Sequence, residues 1–386
     1  MRSATALVEQ GFRSAARFKI QDCQSALTVL SISQPCPPPQ PPPEHNTAPA
    51  RLRAGQSGLA PQDLQPPTET AKDAQDAQYT QYIQDRPETL ANGKIQVVSD
   101  LHLEVCKQYT TFAVPATGAP YLILAGDIGR LVDYNLLLGF MASVVDAYQL
   151  VFYVLGNHEF YTLSYEQAIE QAQRLEKEPC LKGKLILLHK TRWDSSADED
   201  SGHRLTILGC TLWSKIAPEA RTVVATRVKD YKNISEWSID KHCSLHREEA
   251  VWLREQVAAI RQEDAGTDSP RTVVVVTHHA PTVEGTSSPK YAANPWTSAF
   301  STELILAPEA VNSGAWQGVS AWVYGHTHYT NEFRCAGTRL VANQRGYVFP
   351  SRPVEDGSPV AALAVPRDGV GEDSSHIFDP AKTIPF

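Results

Sequence analysis

The sequence lacks the cysteine spacing of a disulfide framework or of a thiolate zinc site. Its seven cysteines are scattered, odd in number and never two residues apart in a Cys-x-x-Cys pair. This usage differs from that of small secreted domains and agrees with a reducing compartment. We therefore predict a cytoplasmic protein whose fold depends on neither disulfides nor cysteine-bound zinc. The cysteines are Cys23, Cys36, Cys106, Cys180, Cys210, Cys243 and Cys335.

Long hydrophobic runs and an excess of basic residues are missing too. No apolar stretch approaches the roughly 20 residues that a membrane-spanning helix needs, so we expect a soluble chain. A formal net charge of −8 at pH 7 disfavours a broad basic surface for nucleic acid or for an anionic membrane. We expect neither partner, although bound divalent cations would make one site locally positive.

The first ninety residues contribute little to a core and are rich in proline, with residues 37–43 reading PPPQPPP. This composition favours extended, solvated chain, so we predict a disordered segment over 1–90 and one folded domain over 91–386. Two alternatives stay open for the segment. A Pro-x-x-Pro stretch could bind a partner domain, and the basic residues before position 20 could belong to a mitochondrial presequence.

Short apolar runs and helical periodicity alternate along the rest of the chain, which indicates a mixed α/β sandwich. Asp133 and Ser164 are candidate caps of helices through about residues 147 and 177, and a third helix is predicted over 245–261. The apolar tail 378–386 is predicted to pack as an edge strand, where its prolines are tolerated. Strands are predicted over residues 94–98, 121–124, 150–155, 184–188, 205–210, 272–277, 321–324 and 338–341.

Five short polar segments each follow one of the predicted strands. In open α/β sheets the loops beyond the carboxyl ends of the strands gather at one edge, so these side chains are expected to form one site. Carboxylate oxygens and imidazole nitrogens suit Mn, Zn or Fe. The segments are Asp100-Leu-His102, Gly126-Asp127, Gly156-Asn157-His158-Glu159, His278-His279 and Gly325-His326-Thr-His328.

Spacing within the segments agrees with metal binding. Asp100 and His102 alternate with one residue between them, and on extended backbone this spacing directs both side chains to the same side. His326 and His328 repeat the arrangement. Each segment alone is a weak signal, but five at strand ends supply a full ligand set for two metal ions.

These segments, in this order, resemble the motif series of the calcineurin-like metallophosphoesterases over about residues 94–349. The resemblance implies a four-layer α/β/β/α sandwich of mixed sheets and a dinuclear phosphoesterase, in which a metal-bridging hydroxide attacks a phosphate mono- or diester. It also implies the ligands: one ion would be bound by Asp100, His102, Asp127 and His328, and the other by Asp127, Asn157, His278 and His326.

By the same resemblance, His158 faces the substrate as the proton donor. We interpret the neighbouring Glu159 as a residue that orients His158 through a hydrogen bond. Adjacent side chains on extended backbone point to opposite faces, so only one of His278 and His279 should reach the metal. The family position favours His278, and His279 is expected to pack beside it.

Departures from the pattern narrow the substrate. Leu155 stands where protein Ser/Thr phosphatases of this superfamily usually carry arginine before the glycine, and the position of Arg130 does not match their Asp-Arg pair. A guanidinium fork is the natural clamp for a phosphomonoester, so a small-molecule ester is expected rather than a phosphoprotein. A nuclease or cyclic phosphodiesterase on the same metals, and a metal-bound inactive scaffold, remain as alternatives.

Two further segments have open interpretations. Residues 210–237 lie between a strand and a long helix, and they could form a substrate lid or a solvated insertion. Residues 343–347 follow another predicted strand, and Arg345 there could either contact phosphate or hold a surface loop together.

Overall fold

The computed structural model describes residues 93–195, 204–268, 270–349 and 376–386. The predicted disordered segment 1–90, with its Pro-x-x-Pro stretch and its presequence alternative, lies outside these residues. Within the described ranges, none of the helices combines the length and the apolar character needed to cross a membrane.

The first sheet contains the strands that carry the first three motif segments. Four strands run parallel, and a short strand from the tail pairs antiparallel with β1 at the edge. Ile384 in this edge strand is fully buried, which confirms the predicted packing of the tail. In sheet order the strands are β11 (Thr383–Pro385), β1 (Lys94–Val98), β2 (Tyr121–Ala125), β3 (Leu150–Val154) and β4 (Leu185–Leu187).

The second sheet carries the remaining motif segments. Its four central strands are parallel, and the strand at each edge is antiparallel to its neighbour. The sequence prediction missed both edge strands, because edge strands are half solvated and show no continuous apolar run. In sheet order the strands are β5 (Thr191–Asp194), β6 (Leu205–Cys210), β7 (Thr272–Thr277), β8 (Val319–Tyr324), β10 (Thr338–Ala342) and β9 (Asn331–Cys335).

The predicted helices are present, with differences at their starts. Ser164 forms a capping box with Gln167, as the sequence indicates. Asp133 precedes its helix but bonds Arg130 instead of capping. The long helix begins at Ile239 because Ser238 caps it, and its first turns bury histidines, which apolar periodicity does not reveal. The helices are α1 (Tyr134–Val145), α2 (Tyr165–Glu176), α3 (Arg221–Arg227), α4 (Asp230–Asn233), α5 (Ile239–Glu263) and α6 (Pro308–Ser313).

The two sheets and the helices form four layers. Alternate residues of the strands, such as Ile123 in β2 and Val276 in β7, pack together in a core between the sheets. The opposite face of the first sheet packs against α1 and α2, and that of the second sheet packs against α5. This arrangement confirms the predicted α/β/β/α sandwich, and it leaves the carboxyl ends of the parallel strands free to carry loops.

Candidate metal centre

The loops that hold the candidate ligands have left-handed backbone. Asp100, His102, Asp127, His326 and His328 have φ between 48° and 72°. The expectation that paired ligands lie on extended backbone is therefore wrong. Hydrogen bonds between loops select the left-handed conformation instead: the backbone N–H of Asp100 donates to Gly126 O, and that of His102 donates to Asp127 O, both at 2.9 Å. Such conformations cost about 1–3 kcal/mol each and persist where neighbours enforce them.

Four of the predicted ligands form a first group, with one potential ligand atom from each within 4.8 Å of the others. His102 Nε2 lies 2.8 Å from His328 Nε2 and 3.6 Å from Asp127 Oδ2. Asp100 Oδ1 lies 3.5 Å from His328 Nε2. The first group therefore consists of two carboxylates and two imidazoles facing one point.

A second group contains Asp127, His278 and His326. His278 Nε2 lies 3.5 Å from Asp127 Oδ1 and 3.2 Å from His326 Nδ1. The side-chain oxygen of Asn157 approaches the same His278 nitrogen at 3.1 Å. Asp127 thus belongs to both groups and presents one carboxylate oxygen to each.

The ligand atoms of both groups are not fully satisfied by hydrogen bonds to one another, and a metal ion would satisfy them better. Within the described part of the chain, Asp100 Oδ2 is buried without a hydrogen-bond partner, a costly state that a bound cation would relieve. Burial and the nearby His278 hold the pKa of His326 well below its usual range, so its nitrogens are free of the extra proton. These clusters of His and Asp, buried except for His328, are able to bind metal ions.

Two pKa shifts show how strongly Asp127 attracts positive charge. Burial opposes ionisation of Asp127, but His278 and His158 outweigh it and hold the pKa of this carboxyl well below its ordinary value. Burial likewise opposes the charged form of His278, yet Asp127 raises its pKa to about 10. A metal ion would take the place of the His278 proton, since an imidazole ligand must be neutral.

His158 lies beside these groups without belonging to the predicted ligand set. Its backbone N–H donates to Asp127 Oδ1 at 2.8 Å, and its ring stacks on Tyr161 with centroids 4.2 Å apart. Ring Nδ1 lies 2.8 Å from Glu104 Oε1, and Nε2 lies 3.1 Å from the Tyr347 hydroxyl. Burial works against the imidazolium, but Asp127 and Glu104 outweigh it and raise the pKa of His158 to about 9.

The interpretation of Glu159 as the residue that orients His158 is wrong. Its buried carboxylate accepts hydrogen bonds from the backbone N–H groups of Asp127, Ile128 and Gly156, at 2.8–3.0 Å, and from the Tyr153 hydroxyl at 2.9 Å. Both carboxylate oxygens are therefore occupied by donors other than the His158 ring. Glu159 ties the loop after β2 to the loop after β3.

Glu104 is the carboxylate that contacts His158, and the sequence analysis did not single it out. Burial alone would raise its pKa, but hydrogen bonds from His102 and His158 lower the pKa of Glu104 to about 2. Its position two residues after His102 gave no usable signal, since His102 has left-handed backbone and Glu104 right-handed helical backbone, and the alternation of an extended strand does not apply to them. The sequence analysis did not identify Tyr347 either, since its contact with His158 joins residues 189 positions apart.

The structure brings His278 into the second group and leaves His279 outside both groups, as the family position favours. The His279 ring packs against His326, with centroids 4.2 Å apart, and against Trp213 at 5.3 Å. Burial and the neighbouring imidazoles hold the pKa of His279 well below its usual range. His279 therefore supports the site as a neutral, packed ring.

Residues 210–237 are packed, so their interpretation as a solvated insertion is wrong. Trp213 and Val224 are fully buried. Asp230 is also buried and accepts hydrogen bonds from Asn157 Nδ2 at 2.8 Å and from the Tyr161 hydroxyl at 2.9 Å. The segment thus reaches the metal centre through Asp230, in a supporting role that the sequence did not predict.

The two candidate arginines are engaged away from the metal groups. Arg130 pairs with Asp133 through two hydrogen bonds of 3.0 and 3.1 Å. Arg345 donates to Leu101 O at 3.1 Å and to Gln108 Oε1 at 2.7 Å. Of the two interpretations of Arg345, its contacts support the one in which it holds a loop together.

Comparisons with known proteins agree with this architecture. The family model described as calcineurin-like phosphoesterase matches residues 93–330, which is more than half of the chain. An uncharacterised protein of Acanthamoeba polyphaga mimivirus is 28% identical over 270 residues, covering 66% of this chain and 91% of that protein.

Two solved structures are also similar. A phosphopantetheinyl hydrolase from Mycobacterium tuberculosis is 17% identical, covers 67% of this chain and 91% of its own, and superimposes with a TM-score of 0.48. A dimetal phosphatase from Danio rerio is 13% identical, with 67% and 88% coverage and a TM-score of 0.37.

Proposed function

Because the chain belongs to the calcineurin-like phosphoesterase family, we propose that it is a dinuclear metal-dependent hydrolase of a phosphate mono- or diester. One observation carries the proposal: two groups of ligand atoms share Asp127, which presents a different oxygen to each. A protein that needed a single ion would have no use for the second group. The expected substrate is a small-molecule ester, and a cytoplasmic location stays a prediction.

Seven residues would hold the ions. Asp100, His102 and His328 would bind one ion, Asn157, His278 and His326 would bind the other, and Asp127 would bridge them. Mn, Zn or Fe suits this set of oxygen and nitrogen ligands. Bound in this way, two cations supply Lewis-acid polarisation of the phosphate and lower the pKa of water to near neutrality.

The chain itself supplies a proton donor. His158 lies beside Asp127, and its Nε2 lies 3.1 Å from the Tyr347 hydroxyl. When the P–O bond to the leaving group breaks, the Nε2–H bond of His158 would break and an O–H bond would form on the leaving oxygen. General acid catalysis of this kind contributes about 10²–10⁴-fold in rate.

A phosphodiesterase is the second candidate, and the arginines favour it. Arg130, whose position does not match the Asp-Arg pair of the protein phosphatases, binds Asp133, and Arg345, which the sequence left open as a phosphate contact, holds a loop. A monoester dianion depends more on such a clamp than the monoanion of a diester does. Cyclic phosphodiesters and nucleic acid are the diester classes to compare, and the acidic net charge disfavours nucleic acid.

The test is hydrolysis of p-nitrophenyl phosphate and bis-p-nitrophenyl phosphate by the full chain with added manganese, together with metal analysis. Asp127→Asn should abolish turnover, whereas Asp146→Asn, on an exposed side chain paired with Lys182, should leave it unchanged. Bound metal without turnover would instead support the inactive scaffold. A wild-type chain that binds no metal would overturn the proposal.

A further inference from the structure

Glu104 touches two histidines with a single oxygen. Its Oε1 lies 2.8 Å from His158 Nδ1 and 3.2 Å from His102 Nδ1, while Oε2 is buried without a partner in the described part of the chain. The side chain is only 9% exposed. Glu104 is therefore a buried carboxylate between a predicted metal ligand and a predicted proton donor, and it is not an ordinary surface residue.

The contact determines how the His158 ring is oriented. An ionised carboxylate can only accept hydrogen bonds, so Nδ1 of His158 must carry the proton that lies between it and Glu104. Nε2 is then directed away from Glu104, to the side where the Tyr347 hydroxyl lies 3.1 Å away. The ring of Tyr161 stacks on one face, so rotation about the Cβ–Cγ bond is opposed by a hydrogen bond and by packing.

The same oxygen accepts from His102. A histidine that binds a metal through one ring nitrogen commonly donates its other N–H to a carboxylate, which fixes the tautomer and the ring orientation. His102 directs Nε2 toward the first group and Nδ1 toward Glu104. One oxygen therefore sets the relative position of a metal ligand and of the ring that would protonate the leaving group.

We propose that Glu104 is the positioning residue of the proton donor, holding His158 so that Nε2 points at the leaving oxygen of the substrate. This inference rests on the proposed function. Glu159, the neighbour of His158 in sequence, cannot serve in this way because its oxygens accept from backbone N–H groups and from Tyr153. The hydroxyl of Tyr347, 3.1 Å from Nε2, lies on the side of the ring from which the leaving oxygen would take the proton.

Leaving groups of different basicity separate positioning from a general structural role. Glu104→Gln keeps the shape of the side chain but weakens its acceptance from His158. The variant should lower kcat about 10²-fold for phenyl phosphate esters, whose leaving group needs a proton, and much less for p-nitrophenyl esters. Because Glu104 also accepts from the predicted ligand His102, metal content is compared at saturating manganese, where it should stay unchanged. Glu166→Gln, on an exposed side chain of α2, is the matched control and should leave both rates unchanged.

A double-mutant cycle supplies the decisive comparison. If Glu104 acts through His158, Glu104→Gln should cause no further loss in a His158→Ala background. An equal loss in both backgrounds would overturn the proposal, as would an unchanged rate with phenyl esters or metal lost from Glu104→Gln at saturating manganese. A third ion bound by His102, Glu104 and His158 would show itself as one metal fewer in the variant.

A measurement independent of turnover keeps the inference apart from the proposed function. In zinc-loaded, ¹⁵N-histidine-labelled protein, the His158 ring should show a protonated Nδ1 that Glu104→Gln perturbs and Glu166→Gln does not. If Glu104→Gln perturbs the ¹⁵N signal of His158 Nδ1 while Asp127→Asn has no effect on hydrolysis, the proposed function fails and the orientation of His158 by Glu104 stands. If the spectrum does not change, Glu104 does not position the ring. Should Glu104→Gln fail to fold, Glu104→Asp replaces it in each comparison.

Discussion

The side-chain amide of Asn157 donates a hydrogen bond of 2.8 Å to Oδ1 of Asp230, a residue 73 positions further along the chain. This bond commits the nitrogen of the amide to Asp230 and turns the oxygen toward His278 Nε2, 3.1 Å away. An amide can present either atom to a metal, but only the oxygen is a useful ligand. Asp230 therefore fixes the orientation in which Asn157 would present its oxygen to a metal ion.

Asp230→Ala should weaken metal binding about 10–100-fold, because outer partners of metal ligands commonly contribute that much. Asp230→Asn, which keeps an acceptor oxygen for Asn157, should lose less. Isothermal titration of the metal-free protein with manganese or zinc measures both constants. Equal affinity in the alanine variant and the wild type would show that Asn157 does not need Asp230.

Gly156→Ala should disrupt the metal centre. A Cβ atom at this position would lie 2.3 Å from Asp127 Oδ1 and 2.5 Å from the Asp127 backbone nitrogen, so the bridging ligand would have to move. We expect loss of bound metal and of turnover. Gly139→Ala is the control, since a Cβ in this turn of α1 meets nothing within 4 Å and should stabilise the helix by about 0.5–1 kcal/mol. Metal analysis and thermal unfolding of both variants test the contrast.

Glu249→Gln should change how stability depends on pH. Burial raises the pKa of Glu249 to about 8 from an ordinary value of 4.5. The native state therefore keeps a proton that the unfolded chain releases, and wild-type stability should fall as pH rises from about 4.5 to 8. The glutamine variant has no such proton, so its stability should fall less over this window.

Urea unfolding at pH 4.5, 6, 7 and 8.5 measures the free energy of unfolding of both proteins. Each unit by which folding raises the pKa of Glu249 contributes at most about 1.4 kcal/mol to the difference between their pH profiles. Glu248→Gln is the matched control, because this neighbouring side chain is 57% exposed. Parallel pH profiles for the wild type and Glu249→Gln would contradict the buried, protonated state of Glu249.

Ile384→Ala should destabilise the fold by about 2–5 kcal/mol, the usual effect of emptying a buried isoleucine position. Ile384 pairs with Ile95 of β1 and is fully buried between the sheets. Ile377→Ala, at a position 61% exposed, should stay within about 0.5 kcal/mol of the wild type. Chemical unfolding of the two variants decides whether the tail strand is part of the core.

The sequence was sufficient for the buried strands and for the candidate ligand types because both depend on local patterns, whereas the four layers were implied by the family resemblance. Buried strands such as β7 are continuous apolar runs, and each candidate ligand directly follows such a run. The residues that support the candidate ligands could not be predicted from local sequence patterns. Glu104 and His158 are 54 positions apart, and Tyr347 and His158 are 189 positions apart, so no spacing rule joins them. The direction of Glu159 was misjudged because adjacency in sequence does not fix where a side chain points.

Five candidate ligands hold the left-handed backbone conformation that glycine adopts most easily. At these positions the backbone conformation favours glycine for stability, whereas metal binding would require the Asp or His side chain. A saturation library scored separately for protein abundance and for phosphoester turnover should find glycine at Asp100, His102 or His328 among the better tolerated substitutions in the first score and among the inactive ones in the second. Residues that divide the two scores in this way would outline the reaction centre without any knowledge of its substrate.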